Sequence, residues 1–342
     1  MNSTAHICRR LAYVLLFLPR LYLCFSFSLI AGRRLTIELR SLAGDNGGGE
    51  SAGLHRGTTY SWINPKLQTI DSAEQKGNNT ESSTSERRYK RIQFDGCGSI
   101  LLHCGTSSIT SLQHTGLSLW SAAYVMSYYI DDMWSQEIRS NQATKWTVLD
   151  LGAGLGLCSA VAAKHAMNVV STDSDSQALV LLEENLRRNC DDNGSISVHS
   201  LDWIAAAEQA DITTNPVFVE LEKYAGVDLV MLSDVVYSAT KPGWKALIVL
   251  LEKLRSQRMR LIQGKSPAIV ERKRCDATDT PASDPLVLLS YTQRRRDMSP
   301  QDEAEFFTLL REAGMEAVLV PSSHIPHGQT YMLTALFELR WV

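Results

Sequence analysis

Residues 148–157 read Val-Leu-Asp-Leu-Gly-Ala-Gly-Leu-Gly-Leu. An apolar strand runs into three glycines at alternate positions, and a helical pattern follows at once. Glycine permits left-handed backbone and lets other atoms approach where a Cβ would block them. A glycine-rich turn after the first strand of a doubly wound sheet marks a ligand crevice. The downstream chain agrees with such a sheet. Strands are expected over 146–151, 168–173, 196–200, 227–233 and 286–291, with helices over 157–165, 176–190 and 241–254. A helix from residue 300 is signposted by Ser299 as cap, Pro300 at its first position, Asp302 at its positive end and Gly314 as its stop. Two last strands are expected near 316–320 and 331–339. Upstream, 91–95 and 100–104 flank Gly96-Cys97-Gly98 as a β-hairpin, and 117–130 reads as a mostly buried helix. The fold class is therefore α/β: a doubly wound, Rossmann-like, mostly parallel sheet covered on both faces, entered through a hairpin and helix.

The spacing of the turn selects among ligands. A dinucleotide site has the form GxGxxG, with a helix N-terminus aimed at a pyrophosphate. Here the form is GxGxG, and the third dehydrogenase glycine falls on Leu157. Asp150 lies two residues before the first glycine, where a carboxylate repels phosphate and suits a cationic head such as an amino-acid ammonium. Asp173, at the end of the second strand and 19 residues after Gly154, suits a ribose diol. Together they favour S-adenosylmethionine, which carries an ammonium, a sulfonium and no phosphate. Two bland readings stay open: Gly156 serves only helix–strand packing, or Asp173 only caps the next helix.

The rest of the chain is organised around this unit. Residues 1–40 form an apolar leader whose first 37 residues hold Arg9, Arg10, Arg20, Arg33 and Arg34 and no acid. Its apolar runs within 11–32 leave three readings open: a membrane anchor, an organellar presequence, or a segment with no role in the chemistry. Residues 41–88 have a linker composition. Residues 89–342 hold the catalytic pattern, interrupted by a basic insertion at 255–284. The stretch 253–274 carries eight Lys or Arg against one Glu and reads as a solvated surface loop. A net charge of −3 argues against a general nucleic-acid binder. Seven cysteines without a CxxC pair indicate neither a disulfide framework nor a metal site, and a reducing, cytoplasmic setting suits the catalytic part.

Further pieces occur in order: Thr115-Gly-Leu-Ser-Leu-Trp120, Ser171-Thr-Asp173, Asn185-Leu-Arg-Arg-Asn189, Leu201-Asp-Trp203 and Asp228-Leu-Val-Met-Leu-Ser-Asp234-Val-Val-Tyr237. With the glycine turn, they make residues 90–342 resemble the class I, seven-β-strand S-adenosylmethionine-dependent methyltransferases. More narrowly, they resemble the lysine methyltransferase group, methyltransferase family 16. The resemblance implies seven strands with the last antiparallel, and transfer of a methyl group to a lysine ε-amine of a protein. It implies that Trp120 covers the cofactor, that Asp150, Gly152, Ala153 and Gly154 line its methionine end, and that Asp173 holds the ribose. Asp202 and Trp203 would meet the adenine. Ser233 and Asp234 would stand beside the methyl group, and Tyr237 would face the substrate. Asp234 and Tyr237 are the expected catalytic pair. Arginine as acceptor would call for a glutamate pair after the fourth strand, and none is visible. An RNA or small-molecule acceptor, and a non-catalytic cofactor-binding module, are the alternatives.

Overall fold

The computed structural model describes residues 88–105, 115–139, 145–190, 195–263, 284–293, 298–326 and 333–342, together with a few short N-terminal strands. The chain divides into two units, 1–65 and 66–342. In the first, Leu23–Cys24 pairs with Arg40–Ser41, and Arg34–Ile37 pairs with both Phe27–Ile30 and Tyr60–Ser61, all antiparallel. The rest of the leader and linker, and residues 264–283 of the insertion, lie outside the described residues. Among the described residues no helix is long and apolar enough to cross a membrane.

The second unit begins with a hairpin, β1 (Arg88–Phe94) and β2 (Gly98–Cys104), followed by helix α1 (Ser121–Arg139). Then come β3 (Thr147–Leu151), α2 (Leu157–Lys164), β4 (Asn168–Asp173), α3 (Ser176–Asn189) and β5 (Ile196–Ser200). Two short helices follow, α4 (Trp203–Glu208) and α5 (Pro216–Glu222). The chain continues through β6 (Leu229–Ser233), α6 (Trp244–Gln263), β7 (Leu286–Thr292), α7 (Pro300–Glu312), β8 (Met315–Leu319) and β9 (Thr334–Trp341). The seven-stranded sheet has the order β5-β4-β3-β6-β7-β9-β8. β9 runs antiparallel to both of its neighbours, β7 and β8, and every other pairing in the sheet is parallel. The order reverses between β3 and β6, so the crevice lies beyond the carboxyl ends of these central strands.

Alternation along the central strands builds two apolar layers. Val148, Leu229, Met231 and Leu288 face α1, α2 and the hairpin. Leu149, Leu151, Val230, Leu232 and Leu289 face the layer of α5, α6 and α7. Buried on both faces, these strands read as continuous apolar runs. The hairpin is docked by side chains. Asn185 and Asn189, one turn apart on α3, accept from the backbone N–H of His103 and Leu101 at 2.7 Å each. The Asn189 amide also donates to the Leu101 carbonyl at 2.8 Å. The two asparagines thus stand in for a neighbouring strand along β2 and satisfy groups that would otherwise be orphaned. This gives the Asn-Leu-Arg-Arg-Asn piece a structural role.

Helix α6 runs to Gln263, nine residues beyond the expected end, because its buried stripe continues as Gln257 and Arg258 instead of leucines. Gln257 donates to the Phe218 carbonyl, and Arg258 pairs with buried Asp228 at 2.6 Å. The start of the basic run is therefore helix, not a solvated loop. Lys253 donates to the carbonyls of Ala206, Ala207 and Gln209 at the C-terminal end of α4, Arg255 pairs with Asp284, and Arg260 with Glu222.

Candidate functional site

The turn after β3 is shaped by its glycines. Gly152, Gly154 and Gly156 all have positive φ, between 54° and 81°. A Cβ on Gly154 would stand 3.1 Å from the carbonyl oxygen of Gly116, so the turn and the 115–117 strap approach through a gap only glycine leaves. At Gly156 a Cβ would fall 2.4 Å from Leu182 Cδ1 of α3, which identifies this glycine as a packing residue. The amides of Gly152 and Ala153 donate to the Thr172 carbonyl, and the Gly154 amide donates to Asp173 Oδ2 at 2.9 Å.

A cavity of about 340 Å³ opens over this turn. That volume falls in the range of small-molecule sites. It brings together Trp120, Gly152, Ala153, Gly154, Asp173, Asp202, Trp203, Ser233, Asp234 and Tyr237, contributed by five separate stretches of chain. Four carboxylates, Asp173, Asp175, Asp202 and Asp234, belong to its lining, and the described lining includes no Lys, Arg or His. A pyrophosphate would find no counter-charge here, whereas a ligand with cationic groups suits the donor and acceptor set.

Asp150 is placed differently from the expectation that it lines the methionine end. It is fully buried and outside the lining, because strand alternation turns it with Val148 toward α2. Its Oδ2 accepts from Ser159 at 2.6 Å, and Ser159 in turn accepts from Ser171 at 2.7 Å. Its Oδ1 is buried with no hydrogen-bond partner among the described residues. Burial pushes the carboxyl up to about 7; the Ser159 hydroxyl opposes that rise, and the charge of Asp173 adds to it.

The other expected residues each carry a structural duty as well. Asp173 accepts from the amides of Gly154 and Asp175, and burial raises its carboxyl above the ordinary range despite those two bonds. Asp202 uses Oδ1 to cap α4, accepting from Ile204 and Ala205. Trp120 sits at the rim, 37% exposed, and its indole N–H donates to the Thr115 carbonyl at 2.9 Å. This rim position is unlike that of a core tryptophan. Asp234 is buried with φ of 57°, a left-handed conformation at the end of β6, and its amide donates to the Ser290 carbonyl at 2.8 Å. Such backbone in a non-glycine residue costs on the order of 1 kcal/mol and clusters at functional sites. Tyr237 OH meets Thr115 Oγ1 at 3.0 Å.

Thr115 and Cys158 are residues that sequence reasoning gave no role. Thr115 joins Trp120 through its carbonyl and Tyr237 through its hydroxyl, so it ties the strap to the loop after β6. Its position at the head of the Thr-Gly-Leu-Ser-Leu-Trp piece was the available signal. Cys158 lines the cavity, receives a bond from Ser127 at 3.5 Å, and has its thiol raised by burial and by Asp150. Nothing in the sequence separates it from a helix-packing cysteine.

Residues 108–266 match the model of the lysine methyltransferase family. Methyltransferase-like protein 22 from Mus musculus is 29% identical over 116 residues, which covers 33% of this chain and 28% of the relative. Histone-arginine methyltransferase METTL23 from Xenopus laevis is 28% identical over 161 residues, covering 47% of this chain and 61% of the relative. The chain therefore spans less than two thirds of either relative's length. Among solved structures, a SAM-dependent methyltransferase from Agrobacterium tumefaciens aligns with a TM-score of 0.41 at 14% identity, covering 74% of this chain and 69% of that one. Magnesium protoporphyrin IX methyltransferase from Synechocystis PCC 6803, solved with bound SAM, aligns with a TM-score of 0.34 at 14% identity, covering 63% of this chain and 79% of that one. The ordered motifs, the strand order and this match, which spans less than half of the chain, make the segment 108–266 similar to the lysine methyltransferase family.

Proposed function

We propose that this chain is a protein-lysine N-methyltransferase that uses S-adenosylmethionine. The observation that carries the reading is the cavity lining: four carboxylates, no described basic side chain, and a glycine turn whose backbone other atoms can approach closely. The cofactor, when bound, supplies a methyl group already activated on a sulfonium.

The chain's own residues would then bind, orient and exclude water. Asp173 would accept the ribose hydroxyls with lone pairs its two amide bonds leave over, and Asp202 would accept from the adenine amine. Trp203 and Trp120 would close the two ends of the cofactor. Asp150 would act through the wall of the site, adding negative potential next to Cys158. Asp234 would orient the incoming amine, and Tyr237 would wall its channel. A free lysine has a pKa near 10.4 and must shed a proton before it attacks. Desolvation in the channel and a neighbouring sulfonium both favour that loss. Positioning of this kind accounts for a large share of the barrier reduction in displacement chemistry.

The acceptor class is argued from the same lining. One relative is named for arginine methylation of histones. A guanidinium is best held by a bidentate acid, and no glutamate is among the described lining residues, which favours lysine. For an RNA acceptor, Lys253, Arg255, Arg258 and Arg260 of the basic run are already engaged with protein groups, which lowers the charge available to phosphate. The test is to incubate the full chain with methyl-labelled donor and either cell protein or RNA, then hydrolyse labelled protein to amino acids. Label recovered as methyl-lysine supports the reading. Label recovered as methyl-arginine or in RNA overturns the acceptor class, and binding of the donor without any transfer supports a non-catalytic module.

A further inference from the structure

A second cavity, of about 460 Å³, lies beside the hairpin tip and is independent of the cofactor site. Three side chains of mixed chemistry converge on it from three elements. Cys97 comes from the turn between β1 and β2, Asp131 from α1 and His165 from the end of α2. Their ligand-capable atoms all lie within 4.8 Å of one another. We propose that Cys97, Asp131 and His165 form a binding site for a zinc-class divalent ion that fastens the hairpin tip to α1 and α2.

The donor set is the first argument. Thiolate, imidazole and carboxylate together suit Zn²⁺ and its neighbours, and neither Mg²⁺ nor Ca²⁺ takes sulfur. A thiolate and a carboxylate also neutralise a divalent charge, so a partly buried ion would carry no net excess. The geometry is the second. His165 Nε2 and Asp131 Oδ1 are 2.9 Å apart, and two zinc ligands at about 2.0 Å from the metal in tetrahedral array stand about 3.3 Å apart. For this pair an opening of a few tenths of an ångström admits the ion, and the Cys97 sulfur, within 4.8 Å of both, has to stand about 3.5 Å from each.

The frame around the ligands is already fixed. Asp131 accepts from the amides of Gly96 and Cys97 at 2.8 Å each, so the carboxylate is oriented by the backbone that carries the thiol. Gly96 makes this approach achievable, since a Cβ there would fall 2.0 Å from Ser135 Oγ and 2.7 Å from Asp131 Oδ1. His165 and Asp131 side chains are 4% and 5% exposed. The cavity supplies room for a water as fourth ligand, which leaves three protein ligands and one open position. Asp95 and Asp132 line it and add negative charge, while Lys164 opposes them. Burial raises the Asp131 carboxyl, but bonds from His165 and from the Gly96 and Cys97 amides outweigh it and leave it below the ordinary range, ready as an anion. Burial and the Asp131 charge push the Cys97 thiol up, so binding requires the metal to displace the thiol proton to solvent.

The test uses the full chain, stripped with a chelator and titrated with Co²⁺ as a spectroscopic stand-in for Zn²⁺. One equivalent should bring up thiolate-to-cobalt charge transfer in the near ultraviolet and intense tetrahedral bands in the visible, both abolished by Zn²⁺. Cys97→Ser should remove the charge-transfer band. His165→Gln should weaken Zn²⁺ affinity by at least the roughly 10- to 100-fold that losing even an outer-shell partner costs. Zinc-edge X-ray absorption on the wild type should give one sulfur at about 2.3 Å with nitrogen or oxygen at about 2.0 Å, whether or not the variants fold. A coordination shell without sulfur, or a charge-transfer band that survives Cys97→Ser, overturns the proposal.

Discussion

Asp150→Asn probes the electrostatics under the cofactor turn. The wild-type carboxyl is fully buried, with a pKa raised from 3.8 to about 7. Between these values the folded chain keeps a proton that the unfolded chain has released. Stability from this group is therefore fully present below about pH 4 and is lost as pH rises toward about 7. At about 1.4 kcal/mol per pH unit, the full loss is on the order of 4 kcal/mol, of which about 2 kcal/mol falls between pH 5 and pH 7. Asparagine has the same shape and keeps an acceptor for Ser159, but it does not ionise. Its amide leaves a buried donor in place of Oδ1, at a constant cost of about 1–3 kcal/mol. The diagnostic quantity is thus the slope. Urea unfolding of the cofactor-free protein at pH 5, 6 and 7 should show the variant gaining about 2 kcal/mol on the wild type across that range. Over the same range the variant should lose affinity for S-adenosylmethionine relative to wild type, because it supplies no negative potential. A stability difference that stays flat with pH would mean that Asp150 titrates normally, and the account of the buried acid would fail.

Other perturbations separate the parts of the structure. Gly156→Ala places a Cβ 2.4 Å from Leu182 at a φ of 81°, and the combined backbone strain and overpacking should cost about 2–4 kcal/mol in chemical unfolding; a neutral change would refute the packing role. Tyr237→Phe keeps the ring and removes the bond to Thr115, so KM for the protein acceptor should rise roughly 2- to 10-fold while cofactor affinity holds. Loss of cofactor affinity alone would move Tyr237 from the acceptor channel to the cofactor end. Asp228→Ala leaves Arg258 buried without its ion-pair partner and should cost about 3–5 kcal/mol in thermal or urea unfolding, far more than removal of the exposed Glu183–Arg187 pair.

The sheet was legible because each central strand is buried on both faces and is written in apolar residues. Leu229–Ser233 and Leu286–Thr292 could hardly be anything else. The caps at Ser299 and Pro300 were legible for a local reason, since they act within one turn. Positions whose burial depends on partners far along the chain were not. Gln257 and Arg258 look like a solvent face until Phe218 and Asp228 are known to sit opposite them. The helices at Trp203–Glu208 and Pro216–Glu222 are too short for a periodicity to emerge, although Asp202 and Asn215 cap them. In the site, the glycine turn and the acids after β4, β5 and β6 could be read because strand ends converge in this architecture. The direction of Asp150 follows from alternation with Val148, but its nearness to the glycine turn and its charge, as well as the resemblance, pointed to the lining instead. The Cys97, Asp131 and His165 cluster spans 69 residues of sequence and has no spacing rule to reveal it.

The central claim is that the cavity over the glycine turn is shaped for a cationic, phosphate-free nucleoside. Isothermal calorimetry of the full chain tests it most directly, with S-adenosylmethionine, S-adenosylhomocysteine and NADH as separate titrants. The account predicts a single site for each of the first two and no heat of binding for NADH. Saturable NADH binding with no response to S-adenosylmethionine would contradict it.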